Sequence, residues 1–366
     1  LCDAHRQTAL EAARKSIVLL KNDGLLPLSP DRYRRVLVTG INADDHNILG
    51  DWSADQKPEN VTTVLEGLKE VSPETDFVFV DQGWDPRNMS RRQVDRAASL
   101  ARTCDLNIVV AGEYMYRGRW TERTSGEDTD RSDIDLVGLQ NELIEKVYAS
   151  GKPTVLVLIS GRPLGVEWAA EHLPALVNAW EPGMYGGQAI AEILYGKVNP
   201  SAKLAVTIPR SSGQVQMIYN HKPSQYFHPY AVTPSTPLYP FGYGLSYNDY
   251  EYSDLTIDKT EMPADGSLKA SVNVTNRGTM TGDEIVELYI RDRFSQVTRP
   301  VKELKDFARI TLEPGETKTV EFTISPDKLQ FLDKHLNPIV EPGEFILMIG
   351  SSSAEEDLLK TSFRIK

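Results

Sequence analysis

The stretch VVAGEYMYRGRWTERTSGEDTDRSDIDLVGLQ, from Val109 to Gln140, gathers three glutamates, four arginines and a tryptophan. Glu113, Glu122 and Glu127 are candidate acids, because a positioned carboxyl group can give or take a proton. Tyr116 and Trp120 are rings able to stack on the apolar face of a ligand. The plain alternative is a solvated loop whose acids pair with Arg117, Arg119, Arg123 and Arg131, and composition by itself favours that reading. Length argues the other way. The segment enters as an apolar strand and leaves as a helix near Leu139, with more than twenty residues between, whereas such connections usually take about two to six. Long loops on a rigid scaffold often carry function.

Two other strand ends could carry chemistry. GINADDHNILGDWSADQ follows Val38 with an isolated Gly40. A dinucleotide site would want G-x-G-x-x-G there, so a phosphate cradle is disfavoured. In ISGRPLGVEWAAEH, Glu167 and Trp168 fall at or inside the start of a helix, and a structural role is the better reading.

These positions presuppose a particular scaffold. RVLVTG (35–40), FVFV (77–80), LNIVVAG (106–112), TVLVLIS (154–160) and ALVNAW (175–180) are short apolar runs rich in β-branched residues. VTTVLEGLKE, RRQVDRAASLAR and LQNELIEKVYAS between them have helical spacing. Apolar strands alternating with amphipathic helices predict a mostly parallel sheet covered on both faces, an α/β sandwich over residues 1–210. In such a sheet ligands gather beyond the carboxyl ends of the strands. At the front, HRQTALEAARKSIVLLKNDGLLPL reads as one helix and a turn, with Leu10, Ala13, Ile17 and Leu20 on one side and Glu11–Lys15 paired on the other. Residues 211–247 lose all periodicity and fill with Pro, Tyr and Gly; so many aromatics predict an ordered linker rather than a flexible one. From 248 to 366, LKASVNVTN, EIVELYIRD, KTVEFTIS and EFILMIG alternate with period two between turn sequences, which predicts an all-β sandwich of the immunoglobulin or fibronectin type.

Bulk properties exclude several classes. No apolar run approaches the roughly 20 residues of a membrane helix, and a formal charge of −12 argues against a nucleic-acid surface. Cys2 and Cys104 are expected to be unpaired thiols. The six histidines show no HxxxH or HExxH spacing, so no metal site is expected. The sequons at Asn60, Asn88 and Asn273 are no more than chance supplies. The opening LCDAHRQ has neither Met nor a signal-peptide core, and suggests a piece of something longer.

Taken together, these segments resemble glycoside hydrolase family 3. EAARKSIVLLKNDGLLPL is similar to the entry into that family's second domain, and LGDWS to its first strand-end loop. WEPGMYGGQAIAEILYGKVNPSAKLAVTIPRS follows the family pattern W-x-P-G-x-x-G-G-x-A-I-A-x-x-L-x-G-x-x-N-P, with Ala202 and Ala205 where Gly and Pro are usual. YPFGYGLSY and VTRPVKELKDF resemble the approach to, and the body of, its fibronectin type III-like domain. The resemblance implies an α/β sandwich and a fibronectin type III-like domain, lacking the (β/α)8 barrel that would precede them and supply the nucleophilic aspartate. It implies a β-glucosidase, with a β-xylosidase as the alternative within the class, and needs no cofactor. A non-catalytic carbohydrate-binding or scaffolding module is the alternative outside it. The substrate would be a β-glycoside or oligosaccharide, and the location periplasmic or exported. A homodimer is left open.

By the same resemblance the long loop reaches across to the barrel with the acid/base glutamate. GEDTDRSDIDLVGLQ lines up with the family form around Glu127, with Asp130 and Val137 in place of Ser and Pro. Glu113 is the second choice and Glu122 the third. Trp120, Tyr116 and Arg131 are expected on the substrate, while Asp51 and Trp52 are expected to pack against the loop or support an interface. The acid must be protonated at work, so Arg123 and Arg131 are expected to turn away from Glu127 or to pair with Asp128 and Asp130.

Overall fold

The computed structural model describes residues 2–214, 216–223 and 230–366. They form two compact units: one runs to Ala202 and includes Pro209–Gly213, and the other joins Lys203–Ile208 to Gln214–Lys366.

The first unit is built on a six-stranded sheet. Its strands are β1 (Val18–Asn22), β2 (Arg35–Thr39), β3 (Asp76–Val80), β4 (Leu106–Gly112), β5 (Thr154–Ile159) and β6 (Ala175–Trp180), in the order β1-β6-β5-β4-β2-β3. All neighbours are parallel except β1, which runs antiparallel to β6. Every residue of β4 and β5 is buried, as strands covered on both faces must be.

The helices are α1 (Asp3–Ser16), α2 (Val64–Val71), α3 (Arg91–Ala101), α4 (Gln140–Tyr148), α5 (Glu167–His172) and α6 (Gly186–Leu194). The strand order makes the chain step one way from β2 to β3 and the other way from β3 through β6. Right-handed crossovers then place α2 on one face and α3, α4 and α5 on the other. The packing agrees: α6 lies against α2 and α1, and α3 lies against α4. Arg14 on α1 holds Glu192 on α6 through two bonds of 2.6 and 2.7 Å. Trp168 and His172 on α5 stack at 4.3 Å, with Tyr148 of α4 at their edge.

One expected element differs. The helix does not continue through Leu20; it stops at Ser16, and Val18, Leu19 and Leu20 form β1 with exposures of 0–1%. Ile17 and Leu20 are compatible with either period, and a short apolar run is ambiguous on spacing alone. Pairing with β6 buries both sides of the run, which a surface helix would not.

The second unit contains β7 (Tyr250–Ile257), β8 (Glu261–Met262), β9 (Leu268–Asn276), β10 (Gly282–Asp292), β11 (Glu303–Leu312), β12 (Thr317–Ile324), β13 (Phe331–Leu332), β14 (Pro338–Ile339), β15 (Gly343–Gly350) and β16 (Leu358–Ile365). One sheet has the order β11-β10-β15-β16-β8 and another β12-β9-β7, with β13 and β14 as a separate pair. Alternate residues turn inward, such as Leu268, Ala270, Val272 and Val274 of β9 facing Phe345, Leu347 and Ile349 of β15 in one core. This is the expected all-β sandwich.

The stretch expected as a linker is divided between the units. Residues 203–208, expected within the α/β sandwich, belong with the second unit instead: the Leu204 amide donates to the Tyr243 carbonyl and the Gly242 amide to the Leu204 carbonyl, both at 2.8 Å, and Lys203 lies 3.4 Å from Glu284. Tyr219 and Phe241 pack against Tyr289, Met348 and Leu358. Such pairings leave no periodic mark in a Pro-rich sequence. Residues 215 and 224–229 of the stretch lie outside the described residues.

Candidate functional site

The connections that follow the neighbouring strands β2 and β4 leave for opposite faces of the sheet, and the crevice between two such strands is where an open α/β sheet collects ligands. The loops after β2, β4, β5 and β6 all open on this carboxyl edge. The β2 loop starts at Gly40 (φ +116°), where a Cβ would strike the Val110 carbonyl. It ends at Thr63, which caps α2: its hydroxyl accepts from the Glu66 amide at 3.2 Å, and the Glu66 carboxylate accepts from the Thr63 amide at 2.8 Å. The β4 loop is clamped at its root by Gln140, whose side chain bonds both the amide and the carbonyl of Gly112 at 2.9 Å. Within the loop, Tyr114 and Thr124 are tied by bonds of 2.8 and 2.9 Å.

Asp51, at 4% exposed, is the hub between the two loops. Its carboxylate accepts from Arg117 at 3.0 Å, from the Glu127 amide at 2.9 Å, and from Arg123. The Arg123 side chain has no exposed surface, and its Nη2 donates to the Glu127 carbonyl at 2.7 Å. Glu127 therefore has both sides of its peptide held by buried charged groups. Gly126 (φ +110°) and Asp128 (φ +56°) flank it in left-handed backbone; at Gly126 a Cβ would strike the Asp51 carboxylate. The Glu127 side chain remains 43% exposed, with Arg117 Nη2 at 3.0 Å from its Oε2.

The other two candidate acids sit differently. Glu113 is fully buried and surrounded by donors: Arg131 at 3.1 Å, Arg162 at 3.2 Å and the Ser160 hydroxyl at 2.7 Å. Glu122 is 43% exposed, lies 3.5 Å from Arg119, and its carbonyl accepts from Arg87. Of the residues expected on a substrate, Arg131 is committed to Glu113, to Asp133 at 2.7 Å and to the Asp135 carbonyl. Trp120 is 43% exposed and carries the Arg123 guanidinium at 3.8 Å from its ring centre. Tyr116 reaches Asp55 at 3.4 Å.

Arg123 and Arg131 turn from the Glu127 carboxylate, towards Asp51, Glu113 and Asp133. One contact departs from expectation: Arg117, named in the sequence only as a partner for the acids of a solvated loop, meets the Glu127 carboxylate directly. Asp51 packs against the loop, and Trp52, 76% exposed, meets it through Arg117 at 4.1 Å. Glu167 has the structural role expected of it, pairing with Arg210 at 2.8 Å.

A fourth acid, Glu181 at the end of β6, was missed. Its carboxyl lies so close to Gly50 and Gly161 that a Cβ at either would come within 2.6 Å. Its outer face is open, but burial of the carboxyl, with Asp51 and Glu113 nearby, pushes its pKa up. Its position just beyond a parallel strand was the available signal.

The description "Glycosyl hydrolase family 3 C-terminal domain" fits residues 17–247, and "Fibronectin type III-like domain" fits residues 284–353. A β-xylosidase of Formosa agariphila is 40% identical, matching 100% of this chain and 51% of its own length. A periplasmic β-glucosidase of Salmonella typhimurium is 36% identical over 96% of this chain and 49% of its own. Among solved structures, a β-glucosidase from Erythrobacter marinus superposes with a TM-score of 0.90 at 35% identity, covering 100% of this chain and 51% of that one. A β-glucosidase from Listeria innocua in complex with isofagomine gives 0.90 at 31% identity, over 100% and 50%. The chain thus spans about half the length of the relatives it matches.

Proposed function

The chain belongs to glycoside hydrolase family 3, and from that premise we propose that it is the acid/base-bearing half of a retaining β-glycosidase, with Glu127 as the proton donor. The nucleophile is an aspartate on a (β/α)8 barrel in the other half. Retaining hydrolysis needs two carboxyl groups roughly 5–5.5 Å apart. The barrel aspartate attacks the anomeric carbon while Glu127 protonates the departing glycosidic oxygen. Glu127 then takes a proton from water, which attacks the glycosyl–enzyme bond. Arg117 has a second partner in Asp51 and stays with it when Glu127 carries the proton. Exposed Trp120 and Trp52 at the rim are rings for a sugar face. β-Glucosides are the proposed substrates and β-xylosides the alternative, following the relatives of both kinds; an exported location follows the periplasmic one.

One observation carries this assignment. Glu127 alone among the three sequence candidates has its peptide amide and carbonyl both fixed by Asp51 and Arg123 while its carboxylate reaches solvent. Glu113 is enclosed by three donors and has no path outward. In the full-length enzyme, Glu127→Ala should slow glycosides with poor leaving groups far more than activated aryl glycosides, and azide should restore turnover. Equal losses on both substrate types would refute the role.

Glu181 is the second reading for the acid, because a carboxyl pushed up by burial holds its proton more readily. In that case Glu181→Gln, rather than Glu127→Ala, gives the leaving-group dependence. If the assembled enzyme hydrolyses no β-glycoside, the chain is a non-catalytic module.

A further inference from the structure

The β-sandwich unit holds a cavity of about 200 Å³ beside the end of β10, walled in part by Arg291, Asp292, Phe294, Ser295, Thr298 and Arg299. Asp292 is 8% exposed, and among the described residues neither of its carboxylate oxygens has a partner in full hydrogen-bond geometry. The Phe294 amide and the Ser295 hydroxyl are its nearest donors, and their weak hydrogen bonding pulls its pKa down in part. Burial pushes the Asp292 carboxyl up to about 6; Glu341 adds to the shift and Arg299 opposes it. Arg299 gives its Nη2 to Glu303 at 2.5 Å and lies over the Phe331 ring, while its Nε is buried without a partner. Among the described residues one wall therefore offers two acceptors without a full partner and another wall a donor without one. A buried polar group left unpaired is costly, so a ligand that met both walls would recover much of that cost.

The chemistry of that ligand follows by elimination. A metal ion or an ammonium group would suit Asp292, but would share the cavity with Arg291 and Arg299. An anion would suit Arg291 and Arg299, Arg293 being held by Glu344 at 2.8 Å, but it would be repelled by Asp292. A hydroxyl both donates and accepts, so neighbouring hydroxyls can meet Asp292 and Arg299 together. At the rim stands Phe294, an apolar ring that is 72% exposed, a flat surface for the C–H face of a pyranose. We propose that this cavity of the β-sandwich binds a saccharide, with Asp292 and Arg299 reading its hydroxyls and Phe294 stacking on its ring.

Calorimetric titration of the chain with cellobiose and with xylobiose tests this directly. At least one should bind saturably, with Asp292→Asn and Phe294→Ala each weakening it about tenfold or more. Phe307→Ala, which removes an exposed ring elsewhere on the same unit, should leave the affinity unchanged. Because Phe294 is mostly exposed, Phe294→Ala should also keep the wild-type melting temperature, so lost binding cannot be blamed on unfolding. The proposal fails if neither disaccharide binds, if binding survives both cavity substitutions, or if Phe307→Ala weakens it as much as they do. It fails equally if methylguanidinium binds at Asp292 and the sugars do not.

Discussion

At the scale of single residues, the site depends on one buried carboxylate rather than on the acid it presents. Asp51 holds Arg123, whose side chain is wholly enclosed, and Arg117, whose side chain is 25% exposed. These two pairs should not be worth the same. Removing one partner of a buried pair strands the other charge and costs about 3–5 kcal/mol, whereas a solvent-screened pair is worth about 0–1 kcal/mol. Asp51→Ala should therefore destabilise the α/β unit by several kcal/mol in urea unfolding, and Arg117→Ala by under about 1 kcal/mol. Comparable losses would mean that Asp51 is not the hub. The sequence exposed some of this and hid the rest. The loop announced itself by its length, and Glu127 by its local pattern. The division of roles among Glu113, Glu122 and Glu127 depends on which arginine reaches which acid, and partners 3, 10, 18 and 49 residues apart follow no rule of local spacing. Glu181 was hidden because its neighbours, Gly50 and Gly161, come from two other loops.

At the scale of elements, two contacts make opposed demands on their residues. α2 and α6 cross at Gly67 and Gly187, where a Cβ on Gly187 would overlap the Thr63 carbonyl. Replacing a helical glycine by alanine gains about 1 kcal/mol of propensity, but overpacking costs about 1–3 kcal/mol. The atom in the way is backbone and belongs to the cap of α2, so overlap wins. Gly187→Ala should lower the melting temperature, and a rise would show that the helices can part without cost. In the β-sandwich, Glu287 is 4% exposed, accepts a bond from the Tyr289 hydroxyl, and is pushed by burial from 4.5 up to about 7. The folded chain thus holds this proton more tightly than the unfolded one. The resulting stability is complete below pH 4.5 and is lost as the pH rises through 7, a change of about 3 kcal/mol. Urea midpoints between pH 5 and 8 should fall less steeply for Glu287→Gln than for wild type. Identical slopes would remove Glu287 as the cause. The parallel strands and the alternating β-strands were readable because each repeats one period. β1 was not, since four apolar residues after a helix satisfy either period equally.

At the scale of the whole chain, each unit has its own core and its own hydrophobic period in the sequence. What the sequence did not display is how the segment between them is shared, because aromatic packing among prolines has no repeat to detect. β1 carries a consequence for the chain's behaviour in solution. It is the last rung on its side of the six-stranded sheet, and a short front segment is all that shields the outer rim of β6. A version trimmed to begin at Asp23 would leave that rim with bare amides and carbonyls beside Leu176 and Val177, both 0% exposed in the intact fold. Bare, sticky rims recruit strands from other molecules. Light scattering should then find the trimmed chain self-associated under conditions where the intact one is not, and equal particle sizes for the two would show that β6 tolerates exposure.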